Sequence, residues 1–289
     1  MKKILSLPPV SFALDAADLF MKVGASRSAA ALSYFLILTL FPLLVCVNYL
    51  IGLFHLDLEN LLRTLDQLLP AGALAVIGDY LRYVADSQSP ALLLASLFTI
   101  LVSASAGMRT LLATMDKLHG TAKVRPLRRV VFSVALSALF LMTIYLSVVV
   151  IFTGEWFFRL LEEHLPRYTA EQLPLGVLEE LWPRFRYLLL FCFMLLLVLL
   201  VYRAGSPRGT VRVPVVVLSS LLAALAISAA SVIFSWFIGM SSRYDLVYGS
   251  LASLIILLVW LYLCGNLLLL GAVAGQVLEN RLKRRPPAP

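Results

Sequence analysis

Residues 247–277 read VYGSLASLIILLVWLYLCGNLLLLGAVAGQV, about 30 positions without one Asp, Glu, Lys or Arg. At 1.5 Å per residue a helix of that length spans roughly 45 Å. The hydrocarbon core of a bilayer is about 30 Å thick and needs about 20 apolar residues to cross. An amphipathic helix of a soluble domain keeps a charged and polar face, and this stretch has no charged residue to make one. With no water in lipid, a continuous helix is the simplest way for its backbone to be satisfied. The stretch therefore predicts a membrane-spanning helix that tilts or extends beyond the bilayer.

Five further blocks of the same character precede it, at about 29–54, 90–108, 130–153, 187–202 and 213–239. The composition agrees: 61% of the 289 residues are hydrophobic and 14% are charged, with mean hydropathy +0.93. A soluble domain carries about a quarter charged residues. The expected architecture is all-α, a polytopic six-transmembrane-helix bundle. Residues 1–28 form a cytoplasmic or interfacial N-terminal segment, 29–277 the six-helix domain and 278–289 a basic cytoplasmic tail. Residues 1–17 begin with Lys2 and Lys3, but Pro8 and Pro9 break the apolar run and Asp15 stands where a small cleavage-site residue is wanted. No cleaved signal is expected. A short amphipathic helix over 11–23, lying at the membrane surface, is.

Orientation follows from where Lys and Arg fall relative to the spans. Lys2, Lys3, Lys22 and Arg27 precede the first block. Six more basic residues, Arg109 to Arg129, lie between the second and third. Arg203, Arg208 and Arg212 lie between the fourth and fifth, and Arg281, Lys283, Arg284 and Arg285 follow the sixth. The intervening loops are poorer in basic residues, and Asp57, Glu59, Asp66, Asp79 and Asp86 sit in the first of them. Both termini are therefore expected in the cytoplasm. The formal net charge of +8 is explained by this bias and by anionic headgroups, without nucleic acid as a partner. The outer loops at 57–89 and 155–186 carry helical periodicity and interfacial aromatics, and neither is long enough for a separate domain.

Enzymatic chemistry finds little foothold. Cys46, Cys192 and Cys264 lie singly in apolar blocks without CxxC spacing, and His55, His119 and His164 are far apart. Residues 205–210, GSPRGT, lack the Lys of a phosphate-binding loop, and no GxSxG elbow occurs. Glu162, Glu163 and His164 are adjacent and point apart on a helix, as on a solvated face. No catalytic residue, metal or cofactor is expected, and the chain is not read as an enzyme.

Polar groups in or beside the spans are costly in lipid and usually face the bundle or a wet cavity. Arg109 follows Gly107 and Met108, where it either snorkels to the interface or binds an anion at a cavity mouth. Ala95, Thr99, Ser103 and Gly107 make a small-residue face, as do Ser220, Ala224 and Ser228, and Gly271 and Gly275. Such faces serve close packing or a seam that opens in a transport cycle. Tyr262, Asn266, Leu269, Val273 and Gln276 share a helix face. Asn266 there either lines a groove or bonds a neighbouring helix. Asn48 is a lone polar residue suited to inter-helix bonding, and Pro42 predicts a kink in the first span.

The stretch 29–35, AAALSYF, continuing to Phe41-Pro42-Leu43-Leu44, resembles the first span of the YihY/BrkB family of bacterial inner-membrane proteins. Tyr248-Gly249-Ser250-Leu251, Trp260-Leu261-Tyr262 and Leu270-Gly271-Ala272 resemble that family's last span. The resemblance implies a multi-pass plasma-membrane protein. It brings links to export of envelope glycolipid precursors, to serum resistance and to an older ribonuclease label. The family pattern places an acidic residue after the last Gly-Ala, and here that position is Val273, which argues against coupling through a carboxylate there.

Three functions follow as expectations. The first is a transporter or flippase of a lipid-like or anionic envelope substrate, with Arg109, Asn48, Asn266, Gln276 and Tyr262 along its path. Pro42, Gly107, Gly249, Gly271 and Gly275 would be its packing or hinge positions. The second is a non-transporting scaffold for envelope biogenesis. A membrane-bound hydrolase or ribonuclease comes last, because Asp15, Asp18, Asp116 and Glu279 are scattered. Membrane lipids, an anionic lipid or glycolipid, and a second copy of the chain are the expected partners.

Overall fold

The computed structural model describes residues 8–53, 78, 89–120, 130–143, 146–147, 175–206, 210–240 and 251–284. They form helices α1 (Pro8–Val23), α2 (Ala25–Leu53), α3 (Pro90–His119) and α4 (Val130–Thr143). Then come α5 (Leu175–Gly205), α6 (Val213–Met240) and α7 (Leu251–Arg284). Among the described residues five helices are long and apolar enough to cross a membrane, and α4 is a shorter apolar helix. The fold is an all-α polytopic membrane bundle. The loops expected at 57–89 and most of 155–186 lie outside the described residues.

Neighbouring helices run antiparallel. Gly107 of α3 faces Leu32 and Phe35 of α2, while Thr114 donates to Ser28 at 2.6 Å, so α3 descends as α2 rises. In α6 and α7, Ser219 meets Gly275 and Trp260 donates to Ser231 at 3.3 Å. Ser105 and Ser133 join α3 to α4 through hydroxyls 3.1 Å apart. Helix α7 packs on α1, α2, α3 and α6, and α5 bridges α6 and α3. The ends of α3, α5 and α7 therefore gather with the starts of α2 and α6.

The largest buried apolar cluster collects at that same end. It includes Ala16, Leu32, Leu111, Met115, Val201, Val215, Leu269, Val273 and Val277. Side chains further along the helices, such as Val232 and Trp236 of α6 and Phe98 of α3, are exposed. In lipid that exposure carries no penalty, because the tails are as apolar as the side chains and association rests on close packing.

Four elements differ from the sequence reading. Helix α5 begins at Leu175, twelve residues before the expected 187, and α7 carries residues 278–284 of the expected tail as helix. Helix α3 runs eleven residues past Met108, because Leu111, Leu112, Met115 and Leu118 continue its buried face. Gly120 then ends it in the left-handed conformation at φ 60°, its N–H turned to Asp116 and Lys117 carbonyls. Helix α1 begins at Pro8, and its apolar face is taken up by protein: Ala16 and Val23 join the cluster, with Phe12, Leu19 and Phe20 against it. Gly24, at φ 70°, makes the break into α2.

Candidate functional site

Four helix ends converge on a narrow cleft lined by Met115 and His119 of α3, Tyr202 of α5 and Ser206 just past its end, Val211, Val216 and Ser219, and Ala272, Gly275 and Gln276 of α7. Its geometry depends on two glycines. A Cβ at Gly271 would lie 2.5 Å from Tyr202 Oη and 2.6 Å from Ala223 Cβ. One at Gly275 would lie 2.9 Å from Ser219 Oγ. Their absence lets two hydroxyls reach the α7 backbone, where Tyr202 donates to the Leu268 carbonyl. Ser219 is turned back onto its own helix, donating to Val216 O at 3.0 Å. His119 Nδ1 lies 2.7 Å from Met115 O, which assigns the proton to Nδ1 and leaves Nε2 to accept from Ser206 at 3.3 Å. Gln276 donates through Nε2 to Asn280 at 3.2 Å, while its Oε1 is buried without a hydrogen-bond partner.

One turn beyond the cleft lies a charged cluster. Glu279 is 1% exposed, and its Oε2 accepts the Arg212 backbone N–H at 3.2 Å, satisfying a donor just ahead of α6. Its Oε1 lies 3.6 Å from Arg212 Nε and 3.5 Å from Lys283 Nζ, within ion-pair range. Lys283 also donates to Thr210 O at 2.6 Å. On the other side of α7, Arg281 holds α1: it reaches Asp15 at 2.6 Å and Ser11 at 3.0 Å, with its guanidinium over the Phe12 ring.

The sequence-derived residues are distributed unevenly about this site. Gly271, Gly275 and Gln276 lie in it. Gly107 sits at the α2–α3 contact, 3.2–3.3 Å (from an added Cβ) from Leu32 and Phe35. Tyr262 meets Ser26 of α2 through hydroxyls 2.5 Å apart. Asn266 donates to the Tyr262 carbonyl of its own helix at 2.7 Å. Arg109 is half-buried within α3, ten residues before its end. Pro42 lies inside α2, which continues through it. Asn48 is also in α2, but its side chain, like Gly249, lies outside the described residues. On α3, Ala95 and Thr99 are exposed and Thr99 donates to its own Ala95 carbonyl, while Gly107 of that small-residue face makes a close approach to α2. Among the described residues, no three His, Cys, Asp or Glu side chains gather as a metal would need.

A family model described as virulence factor BrkB matches residues 16–289. The chain belongs to the BrkB family. It is 26% identical over 262 residues to YfkH of Bacillus subtilis, whose name calls it ribonuclease-like, covering 90% of this chain and 92% of that one. A UPF0761 membrane protein of Alkalilimnicola ehrlichii is 38% identical over 77 residues, 27% of this chain and 17% of the relative. One from Vibrio vulnificus is 34% identical over 80 residues, 28% of this chain and 26% of the relative. No solved structure matches the chain. Membership of the BrkB family fits an integral membrane protein.

Glu279, His119, Ser206, Tyr202 and Ser219, all central to the site, were passed over in the sequence. Glu279 counted as a scattered carboxylate, yet the 3–4 spacing Ala272, Gly275, Glu279, Lys283 puts it on the glycine face of α7. His119 and Ser206 are 87 positions apart, and no local pattern joins them.

Proposed function

We propose that this BrkB-family protein is a transporter or flippase of a lipid-like, anionic envelope substrate in the bacterial plasma membrane, with both termini in the cytoplasm. The observation that carries this reading is the α5–α6–α7 seam. Gly271 and Gly275 bring the hydroxyls of Tyr202 and Ser219 between membrane-length helices, a close small-residue contact that serves packing and, in this reading, is also the seam that opens in a transport cycle. In this reading basic residues near the gathered helix ends collect an anionic headgroup, with Arg109 guiding it from α3. The headgroup then follows polar positions on α2 and α7, among them Asn48 and Asn266, while its acyl chains stay in lipid. The sequence has no phosphate-binding loop for ATP, so a gradient or a partner supplies the energy.

The test is reconstitution into vesicles carrying a fluorescent anionic lipid in one leaflet, with quenching of the exposed fraction. The transport reading expects protein-dependent movement between leaflets that falls at least tenfold in Arg109→Gln. Loss confined to other variants would remove Arg109 from the path. No movement with the wild-type protein, together with a stoichiometric co-purifying protein, would replace this reading with the scaffold. The ribonuclease-like name of the Bacillus relative finds no support in the carboxylates seen here. Asp15, Asp18 and Glu279 are each engaged by a cation of the chain, namely Arg281, Lys22, and Arg212 with Lys283, and among the described residues neither they nor Asp116 belong to a cluster of three that could hold a metal.

A further inference from the structure

The cleft where α3, α5, α6 and α7 meet has an unusual balance of hydrogen-bonding groups. Among the described residues, every side-chain donor lining it is already committed. Tyr202 donates to Leu268 O, Ser219 to Val216 O, His119 Nδ1 to Met115 O, Ser206 to His119 Nε2, and Gln276 Nε2 to Asn280 Oδ1. The lone pairs of Tyr202 Oη, Ser206 Oγ and Ser219 Oγ remain. With them is Gln276 Oε1, which is buried and unpaired. Among the described residues no lysine or arginine lines the cleft. A buried acceptor without a partner costs roughly 1–3 kcal/mol, so the arrangement calls for an electropositive guest.

Three further features narrow the guest. Helices α3 and α5 both terminate at the cleft, at His119 and Gly205, and a helix C-terminus carries about half a negative charge. Among the described lining residues the available oxygens are hydroxyl and amide groups with no carboxylate among them, which suits a monovalent ion and not the charge-rich shell of a bound divalent ion. The cleft is also narrow, close to the size of one water molecule.

We propose that this cleft is a binding site for one small monovalent metal cation, held by Gln276 Oε1 with the hydroxyl oxygens of Tyr202, Ser219 and Ser206. Gly271 and Gly275 then have a purpose beyond close packing, because they give Tyr202 and Ser219 their places beside α7. The site goes beyond the transport reading and stands whether or not a lipid is moved.

The test is thermal unfolding of the purified full-length protein in detergent, titrated with sodium, lithium or potassium chloride against N-methylglucamine chloride. Ionic strength is held constant, so that screening of the Glu279 ion pairs does not contribute. A saturable rise in Tm of about 3 °C or more is expected for at least one of the three cations. It should vanish in Gln276→Leu and shrink in Tyr202→Phe. Gln276→Glu, which gives the site a formal charge, should bind at least tenfold more tightly and keeps the test valid if the leucine variant fails to fold. Equal Tm in all salts would mean that the cleft holds water alone and would overturn the proposal. So would a rise unchanged in the leucine and phenylalanine variants. Cation binding without lipid movement would remove the transport reading and leave this site standing.

Discussion

Gly271 and Gly24 are the same residue type under opposite constraints, and substitution separates them. At Gly271 the backbone is helical and the limit is space, with Tyr202 and Ala223 within 2.6 Å of an added Cβ. Gly271→Ala should cost about 1–3 kcal/mol by overpacking, read as a lower midpoint of denaturant unfolding in mixed micelles. At Gly24 nothing lies within 4 Å and the limit is φ, so Gly24→Ala should cost about 1 kcal/mol of backbone strain and leave the α6–α7 seam intact. Glu279 invites a second comparison. Its carboxylate is 1% exposed, whereas the side chains of Arg212 and Lys283 are 60% and 50% exposed. Removing the acid leaves cations that water can solvate. Removing the cations strands a buried charge. The double variant Arg212→Gln with Lys283→Gln should therefore be less stable than Glu279→Gln by about 2 kcal/mol in the same unfolding measurement.

Helix α1 illustrates what amphipathicity alone leaves undecided. Phe12, Ala16, Leu19 and Val23 mark an apolar face, but a protein groove and a bilayer surface satisfy such a face equally well. The partner is set by Arg281, one turn before the end of α7, which draws Asp15 and Ser11 to it and stacks over Phe12. Arg281→Gln should loosen α1 by about 1 kcal/mol, since the contact combines an exposed ion pair with a cation–π approach. Hydrogen exchange would show this as roughly fivefold faster exchange across α1, with α7 residues 254–270 unchanged. The wild-type protein should move the same way in high salt, because Asp15 is largely exposed and the pair is screened.

For the whole molecule, the antiparallel order of the helices puts the starts of α2 and α6 with the ends of α3, α5 and α7. Paired with the basic residues on that side, it predicts cytoplasmic termini. A fluorescent protein fused after Pro289 should fluoresce in cells, and alkaline phosphatase at the same junction should stay inactive. The reverse pattern would invert the orientation. Membrane character and the basic bias could be read from the chain alone, because crossing lipid forces about 20 contiguous apolar residues on each helix and charges collect at their ends. Gly271 with Gly275, and Gln276 with Asn266 and Tyr262, were also visible there as two faces of the last helix, since side chains three and four apart share a side. Which face meets which neighbour was not. In lipid, helices associate through shape at close approach, and an alanine–threonine face such as 95–99 of α3 looks like a packing face in sequence yet is exposed. The pairing of His119 with Ser206 and of Glu279 with Arg212 arose only when distant helix ends were brought together. Burial then made those contacts obligatory, because a polar group withdrawn from water must find its partner within the protein.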